Sequence, residues 1–186
     1  HLLKIANKKR NKFNGKIIAI TGSIGKTTIK EYLKHLLSTQ GKISTAIKSY
    51  NNYLGVLISL INIDLHSNFA IFEVGTNNFN EIKKLTSIIM PHQVIITNIF
   101  PTHLKNFKNT RNIAIEKSDL FNPKYNPCTE LLVLPISNED EVYLSKLSRK
   151  YKINSVITFG RNNDVNYCLQ NIEILNNFLS KIKIKT

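Results

Sequence analysis

The segment Ile18-Ala19-Ile20-Thr21-Gly22-Ser23-Ile24-Gly25-Lys26-Thr27-Thr28 constrains this chain more than any other. An apolar strand runs into a glycine-rich turn and straight on into an amphipathic helical stretch. Gly22 and Gly25 let the backbone curl so that successive N–H groups converge on an anion, and the helix that follows adds the positive end of its dipole. Lys26 supplies a point charge for β- and γ-phosphates, and the Thr27 hydroxyl is a hard ligand for Mg²⁺. The strict P-loop pattern asks for a glycine five residues before Gly25, where this chain has Ile20. The spacing Thr-Gly-x-x-Gly-Lys-Thr-Thr is a shorter variant, with strand, turn and helix where the chemistry needs them. It predicts a nucleoside triphosphate site with Mg²⁺, cradled by Thr21, Gly22, Ser23, Ile24, Gly25, Lys26, Thr27 and Thr28.

A loop of this kind needs a parallel sheet behind it, and the rest of the pattern supplies one. Short β-branched runs at Lys16–Thr21, Ile43–Ile47, Phe69–Val74, Gln93–Asn98, Glu130–Leu134 and Ser155–Phe159 alternate with longer amphipathic runs. The latter, at Lys26–Gln40, Tyr53–Ile63, Phe79–Ile89, Thr110–Phe121 and Asn138–Tyr151, read as helices. Alternation of this sort predicts an α/β fold, a three-layer P-loop domain whose mostly parallel sheet carries helices on both faces. Residues 1–12 look like the end of an earlier helix, so residues 1–14 are assigned to a preceding helix or linker and 15–186 to the ATP-binding domain. Beyond Asp164 the text changes to short alternating runs, Tyr167–Ile172 and Phe178–Ile184, which predict a small antiparallel appendage.

The charge balance tests a competing reading. Lys and Arg number 26 against 12 Asp and Glu, with a pI near 9.8, a balance that invites nucleic acid as a partner. Ile, Lys and Asn contribute 27, 22 and 24 residues, as an AT-rich coding sequence would dictate. The lysines are scattered apart from a cluster between Lys4 and Lys16 and a tail at Lys181, Lys183 and Lys185. No helix-turn-helix, zinc-finger or RNP-like motif accompanies them, so no nucleic-acid partner is expected. Cys128 and Cys168 have no CxxC spacing, which fits a reducing compartment. The longest apolar stretch, Tyr53–Ile63, is too short to span a bilayer and there is no signal peptide. No integral membrane segment and a cytoplasmic location are expected.

Further motifs follow the loop in a fixed order. They are Asn51-Asn52-Tyr53-Leu54-Gly55-Val56, then Glu73-Val74-Gly75-Thr76-Asn77, then Ile96-Thr97-Asn98-Ile99-Phe100-Pro101-Thr102-His103-Leu104 with Phe107. Last comes Ile113-Ala114-Ile115-Glu116-Lys117-Ser118-Asp119-Leu120-Phe121. Together with Thr-Gly-Ser-Ile-Gly-Lys-Thr-Thr, this set resembles the central domain of the Mur ligase family, over about residues 1–165. It is most similar to the type that adds D-alanyl-D-alanine, the MurF type. Three positions depart from the family text: Leu57 stands where Pro is usual, Phe100 where Gly is common, and Ser118-Asp119 in place of Gly-Glu.

The resemblance implies an ATP-dependent amide-bond ligase of peptidoglycan synthesis. Such enzymes phosphorylate a carboxylate of UDP-MurNAc-tripeptide, and the amine of D-Ala-D-Ala then attacks the acyl phosphate. Stabilising clustered anionic oxygens calls for metals and cations rather than a protein nucleophile. By resemblance, Lys26, Asn52, Glu73, His103 and Lys117 are the catalytic set. Thr27, Glu73, His103 and Lys117 serve Mg²⁺, with Lys117 carrying a CO₂-derived carbamate, and Asn51 and Asn52 orient the γ-phosphate or the reacting carboxylate. Read singly, each has a plainer role: Glu73 as a solvated strand end, His103 as a structural histidine, Lys117 as surface charge, the asparagine pair as two of 24.

The family's Asn-x-x-Asn helix, its UDP-binding domain and its amine-bringing domain are not found in the 186 residues. The chain is therefore expected to be a C-terminally truncated piece of a longer enzyme, inactive in ligation by itself. Two rivals stay open: a degenerate, non-catalytic nucleotide-binding remnant, and another member of the superfamily such as a folate polyglutamylating enzyme. A P-loop GTPase ranks last because the guanine motif Asn-Lys-x-Asp is missing.

Overall fold

The computed structural model describes residues 1–46, 50–175 and 180–186. Its centre is β1 (Lys16–Thr21), in which every residue after Lys16 is buried. A strand buried on both faces must be apolar throughout, and Ile-Ile-Ala-Ile is. To one side it pairs in parallel with β3 (Phe69–Glu73), which pairs with β2 (Ile43–Thr45). To the other lies β4 (Gln93–Ile96), followed by β5 (Leu131–Pro135), β6 (Ser155–Gly160), β7 (Tyr167–Ile174) and β8 (Ser180–Lys185). The strand order is β2-β3-β1-β4-β5-β6-β7-β8, and every neighbouring pair is parallel except β7 with β8.

Helices cover both faces, unequally. Ile17, Ala19, Ala70, Phe72, Val94 and Ile96 point into the larger core, beneath α1 (Leu2–Lys12), α3 (Tyr53–Ile61) and α4 (Glu81–Ile89). The same core takes in Ile113 and Ala114 of α6 (Thr110–Ser118) and Leu144 of α7 (Glu139–Lys150). The alternate residues Ile18, Ile20 and Ile71 face α2 (Lys26–Leu37), whose Ile29, Leu33 and Leu37 form a stripe at four-residue spacing. Period 2 in the strands and period 3.6 in the helix thus meet across the sheet.

The three-layer α/β fold expected from the sequence is present, with its boundaries adjusted by local chemistry. α2 ends at Leu37 rather than Gln40, because Ser38 and Thr39 turn their hydroxyls onto the carbonyls of His35 and Leu36. α4 begins at Glu81 rather than Phe79: Asn80 has φ +68°, which no α-helix accepts. Past Ser118 the α6 helix tightens into a 3₁₀ turn, Asp119–Phe121. A one-turn helix, α5 (Leu104–Phe107), stands where none was expected. The antiparallel pair β7–β8 continues the main sheet: β7 pairs with β6 at Phe159↔Tyr167 and Gly160↔Cys168. Ile47, at the end of one expected strand, and residues 178–179 of another lie outside the described residues.

The chain runs from β1 outward to β2, returns to β3 and crosses to β4 on the far side of β1. The crevice at the carboxyl ends of β1, β3 and β4 is therefore a topological switch point, where open α/β sheets bind ligands.

Candidate functional site

The turn between β1 and α2 sits at that crevice. Gly22 has φ +149° and Gly25 φ +84°. A Cβ on Gly22 would fall 1.9 Å from Thr97 Oγ1, whereas one on Gly25 would meet nothing within 4 Å. Gly22 is thus required by a neighbour, and Gly25 by its backbone angle alone. Gly25 is the N-cap of α2 and offers no side chain to the first amides of the helix, which leaves them for an anion.

Not every amide in the loop is available. Ser23 donates its N–H to Asn98 Oδ1 at 3.1 Å and Ile24 donates to the same oxygen at 2.9 Å. Asn98 Nδ2 and Thr97 Oγ1 both donate to the Ile24 carbonyl, at 3.1 and 2.6 Å. Phe100 donates its N–H to Ser23 Oγ at 2.9 Å. The loop is stapled to the segment after β4, and Asn98, singled out in the sequence only as motif text, holds the staple. Lys26 Nζ folds back on the loop and donates to Gly22 O at 2.9 Å. Burial holds its pKa below the ordinary lysine value, against the pull of Glu73.

Glu73 closes β3 and is almost wholly buried, 1% exposed. Thr27 donates its hydroxyl to Glu73 Oε2 at 3.0 Å, and Lys30, one helical turn along α2, places Nζ 2.9 Å from Oε1. Lys30 was not anticipated. Its spacing to Lys26 and Thr27 on a helix beginning at the loop was the available signal.

A cavity of about 950 Å³ opens beside the loop, lined by Gly22, Ser23, Lys26, Asn51, Asn52, His103 and Lys117 among others. Most of the expected catalytic residues therefore share one hollow, although 51, 103 and 117 are far apart in sequence. Gly75 lets Asn51 in: a Cβ there would lie 2.9 Å from Asn51 Cγ. Asn52 caps α3, with Oδ1 accepting the Gly55 N–H at 2.9 Å. His103 holds a left-handed conformation, φ +52°, at the start of α5, and its side chain is exposed. Such a backbone state in a non-glycine residue is uncommon and gathers at functional sites. Thr21 lies deeper, fully buried, and its hydroxyl has no hydrogen-bond partner among the described residues. Ile24 and Thr28 are exposed.

Lys117 is 3% exposed, and its pKa is lowered to about 7. Desolvation is the main cause and the charge of Lys26 adds to it, while Glu116 pulls the other way. Glu116, 2% exposed, accepts the N–H groups of Asn80 and Ile82, each at 2.8 Å. It fastens α6 to the start of α4. Burial raises its pKa. Glu141 likewise accepts from Ile99 N at 3.0 Å and Ser137 N at 2.8 Å, bracing the segment after β4 from α7.

The donor set suits a hard cation only in combination. Among the described residues no group of three or more His, Cys, Asp and Glu side chains stands together. A buried carboxylate with a threonine hydroxyl on one oxygen, beside an anion cradle, fits Mg²⁺ held jointly by protein and phosphate oxygens.

A family profile described as Mur ligase middle domain matches residues 20–185. The chain is 35% identical over 159 residues to the UDP-N-acetylmuramoyl-tripeptide--D-alanyl-D-alanine ligase of Rickettsia prowazekii, covering 86% of this chain and 35% of that protein. It is 32% identical over 182 residues to the ligase of the same name from Buchnera aphidicola, covering 97% and 38%. Among solved structures, a MurF from Acinetobacter baumannii superposes with a TM-score of 0.86 at 26% identity, over 100% of this chain and 39% of the other. The chain thus spans little more than a third of the length of these relatives.

Proposed function

This chain belongs to the Mur ligase family through its middle domain, and on that footing we propose that it is the ATP-binding core of a ligase that joins D-alanyl-D-alanine to UDP-MurNAc-tripeptide. The observation that carries the reading is the hydrogen bond from Thr27 to the buried Glu73, with Thr27 next in sequence to Lys26, which lines one cavity with His103 and Lys117. A phosphate cradle, a buried carboxylate and a lysine of depressed pKa belong to neighbouring elements of this one site.

In this reading the first amides of α2 and the Lys26 ammonium bind the β- and γ-phosphates of ATP. For that, Lys26 gives up its contact with the Gly22 carbonyl. Mg²⁺ would supply charge neutralisation for transfer of the γ-phosphoryl group to the substrate carboxylate. Thr27 and Glu73 would hold the cation, and His103 and Lys117 would serve it as well. Lys117 is half neutral at pH 7, so its amine can attack CO₂. A C–N bond forms, a proton leaves, and the product is a carbamate whose oxygens replace a repelling ammonium. The amide groups of Asn51 and Asn52 orient the γ-phosphate or the carboxylate. Asn98 keeps Ser23 and Ile24 in register throughout. ATP and a nucleotide-linked substrate fit a cytoplasmic reaction, and no helix among the described residues is long and apolar enough to cross a membrane.

Calorimetry with a non-hydrolysable ATP analogue and Mg²⁺ tests the reading. The parent should bind and Lys26→Ala should lose at least about tenfold in affinity, the worth of one charge-assisted contact. Equal binding by the two proteins would overturn the assignment. No binding by the parent would favour a non-catalytic remnant.

A further inference from the structure

Lys30 is a residue that nothing in the proposed chemistry uses, yet its position is costly. Its side chain is 3% exposed, on the face of α2 that carries Ile29 and Leu33 into the core. A buried ammonium is expensive unless it is paired, and a leucine there would pack without that expense. The partner is Glu73, 2.9 Å away, with the more exposed Glu31 at 3.3 Å.

The pairing makes the two oxygens of Glu73 unequal. Oε1 lies against the Lys30 ammonium, while Oε2 takes the Thr27 hydroxyl on the side of the phosphate loop. With Oε1 engaged, Glu73 has one oxygen to give a cation. Mg²⁺ is content with single carboxylate oxygens in a strict octahedron, whereas Ca²⁺ takes more ligands and readily uses both oxygens of one carboxylate.

Resting on the Mg–nucleotide reading above, we propose that Lys30 is a positioning and specificity-determining residue: it restricts Glu73 to one-oxygen ligation and so makes the site select Mg²⁺ over Ca²⁺. It touches neither nucleotide nor substrate. Its effect passes through the orientation of the Glu73 carboxylate.

The test is a metal titration of the full chain with a fluorescent, non-hydrolysable ATP analogue, read as the Mg²⁺ and Ca²⁺ concentrations that give half-maximal binding. The parent should favour Mg²⁺ by about tenfold or more, and Lys30→Arg, which keeps the cation, should stay near that ratio. Lys30→Met should lose most of the preference, chiefly by gaining affinity for Ca²⁺, while its nucleotide binding without metal stays near the parent's. A general loss of structure would weaken both metals and the nucleotide alike. If Lys30→Met fails to melt cooperatively, Lys30→Leu takes its place, since it packs in the core and offers Oε1 no donor. A parent ratio retained by the uncharged variant would overturn the role of Lys30 and leave the nucleotide reading standing. Absence of metal-dependent binding in the parent would overturn that reading instead.

Discussion

The Asn98 side-chain oxygen accepts the backbone N–H groups of both Ser23 and Ile24, at 3.1 and 2.9 Å. Two amides that a phosphate loop would ordinarily turn on its ligand are spent inside the protein. The loop is shaped before nucleotide arrives, and the free amides are those at the start of α2. Asn98→Ala should therefore leave the Ile24 N–H unpaired, at about 1 kcal/mol, while the Ser23 N–H keeps the Asn98 backbone carbonyl at 3.1 Å. For a chain of this size that lowers the melting temperature by about 2–4 °C. Nucleotide affinity should fall with it. Asn98→Asp keeps the acceptor but sets a second carboxylate oxygen against the Ile24 carbonyl in place of the Nδ2 donor, so a calorimetric scan should show little recovery.

Gly22 and Gly25 are both left-handed but should not respond alike. Gly25→Ala enters open space and meets only backbone strain, about 1 kcal/mol. Gly22→Ala drives a methyl group into Thr97 Oγ1 and must push the loop off β4. Thermal melts should show a loss of a few degrees for the first and a far larger one for the second.

Glu116→Ala removes the acceptor for Asn80 and Ile82. Orphaning two amides beside a buried helix start should cost about 2–3 kcal/mol, or roughly 5–10 °C by differential scanning. Glu116→Gln, with one acceptor oxygen left, should fall between that and the parent.

The depressed pKa of Lys117 makes two measurable claims. Its folded value near 7 lies below the unfolded value of about 10.4, so between those values the unfolded chain binds the extra proton. Stability contributed by this site then rises with pH, approaching about 1.4 kcal/mol per unit above pH 7. Below pH 7 both states are protonated and the penalty of burial is constant. In CO₂-free buffer Lys117→Met should melt higher than the parent at pH 6, with the gap closing toward pH 9. In ¹³C-bicarbonate the parent should show a carbamate resonance that fades as pH drops below 7 and is absent from Lys117→Met. A parent without that resonance would leave Lys117 a plain amine.

Much of this was readable in the sequence because it is local. The strand–loop–helix unit at 16–37 follows from period and composition, and the motif residues that line the cavity from the resemblance to the Mur ligase family. What was not readable depends on partners far along the chain. Ser38 and Thr39 stop α2 with hydroxyls that could equally have faced water. α5 hangs on a left-handed His103, which propensity does not favour. Lys30 looks like a surface lysine in a chain rich in them until Glu73 of β3 is set beside it. The appendage at 167–185 reads as antiparallel by alternation, but its junction with β6 spans only two paired positions, too few to leave a trace in the pattern.

The staple at Asn98 also fixes an order of events during synthesis. Ser23 and Asn98 are separated by 75 residues, and between them lie β2, β3 and α4. A ribosome adding about 5–20 residues per second must run on for several seconds after the glycine turn emerges before its clamp exists. Until β4 docks against β1, the turn is open chain on an unfinished edge, with neither the Asn98 oxygen nor a second flanking strand. The shape of the glycine turn is thus settled late, when the sheet closes around β1.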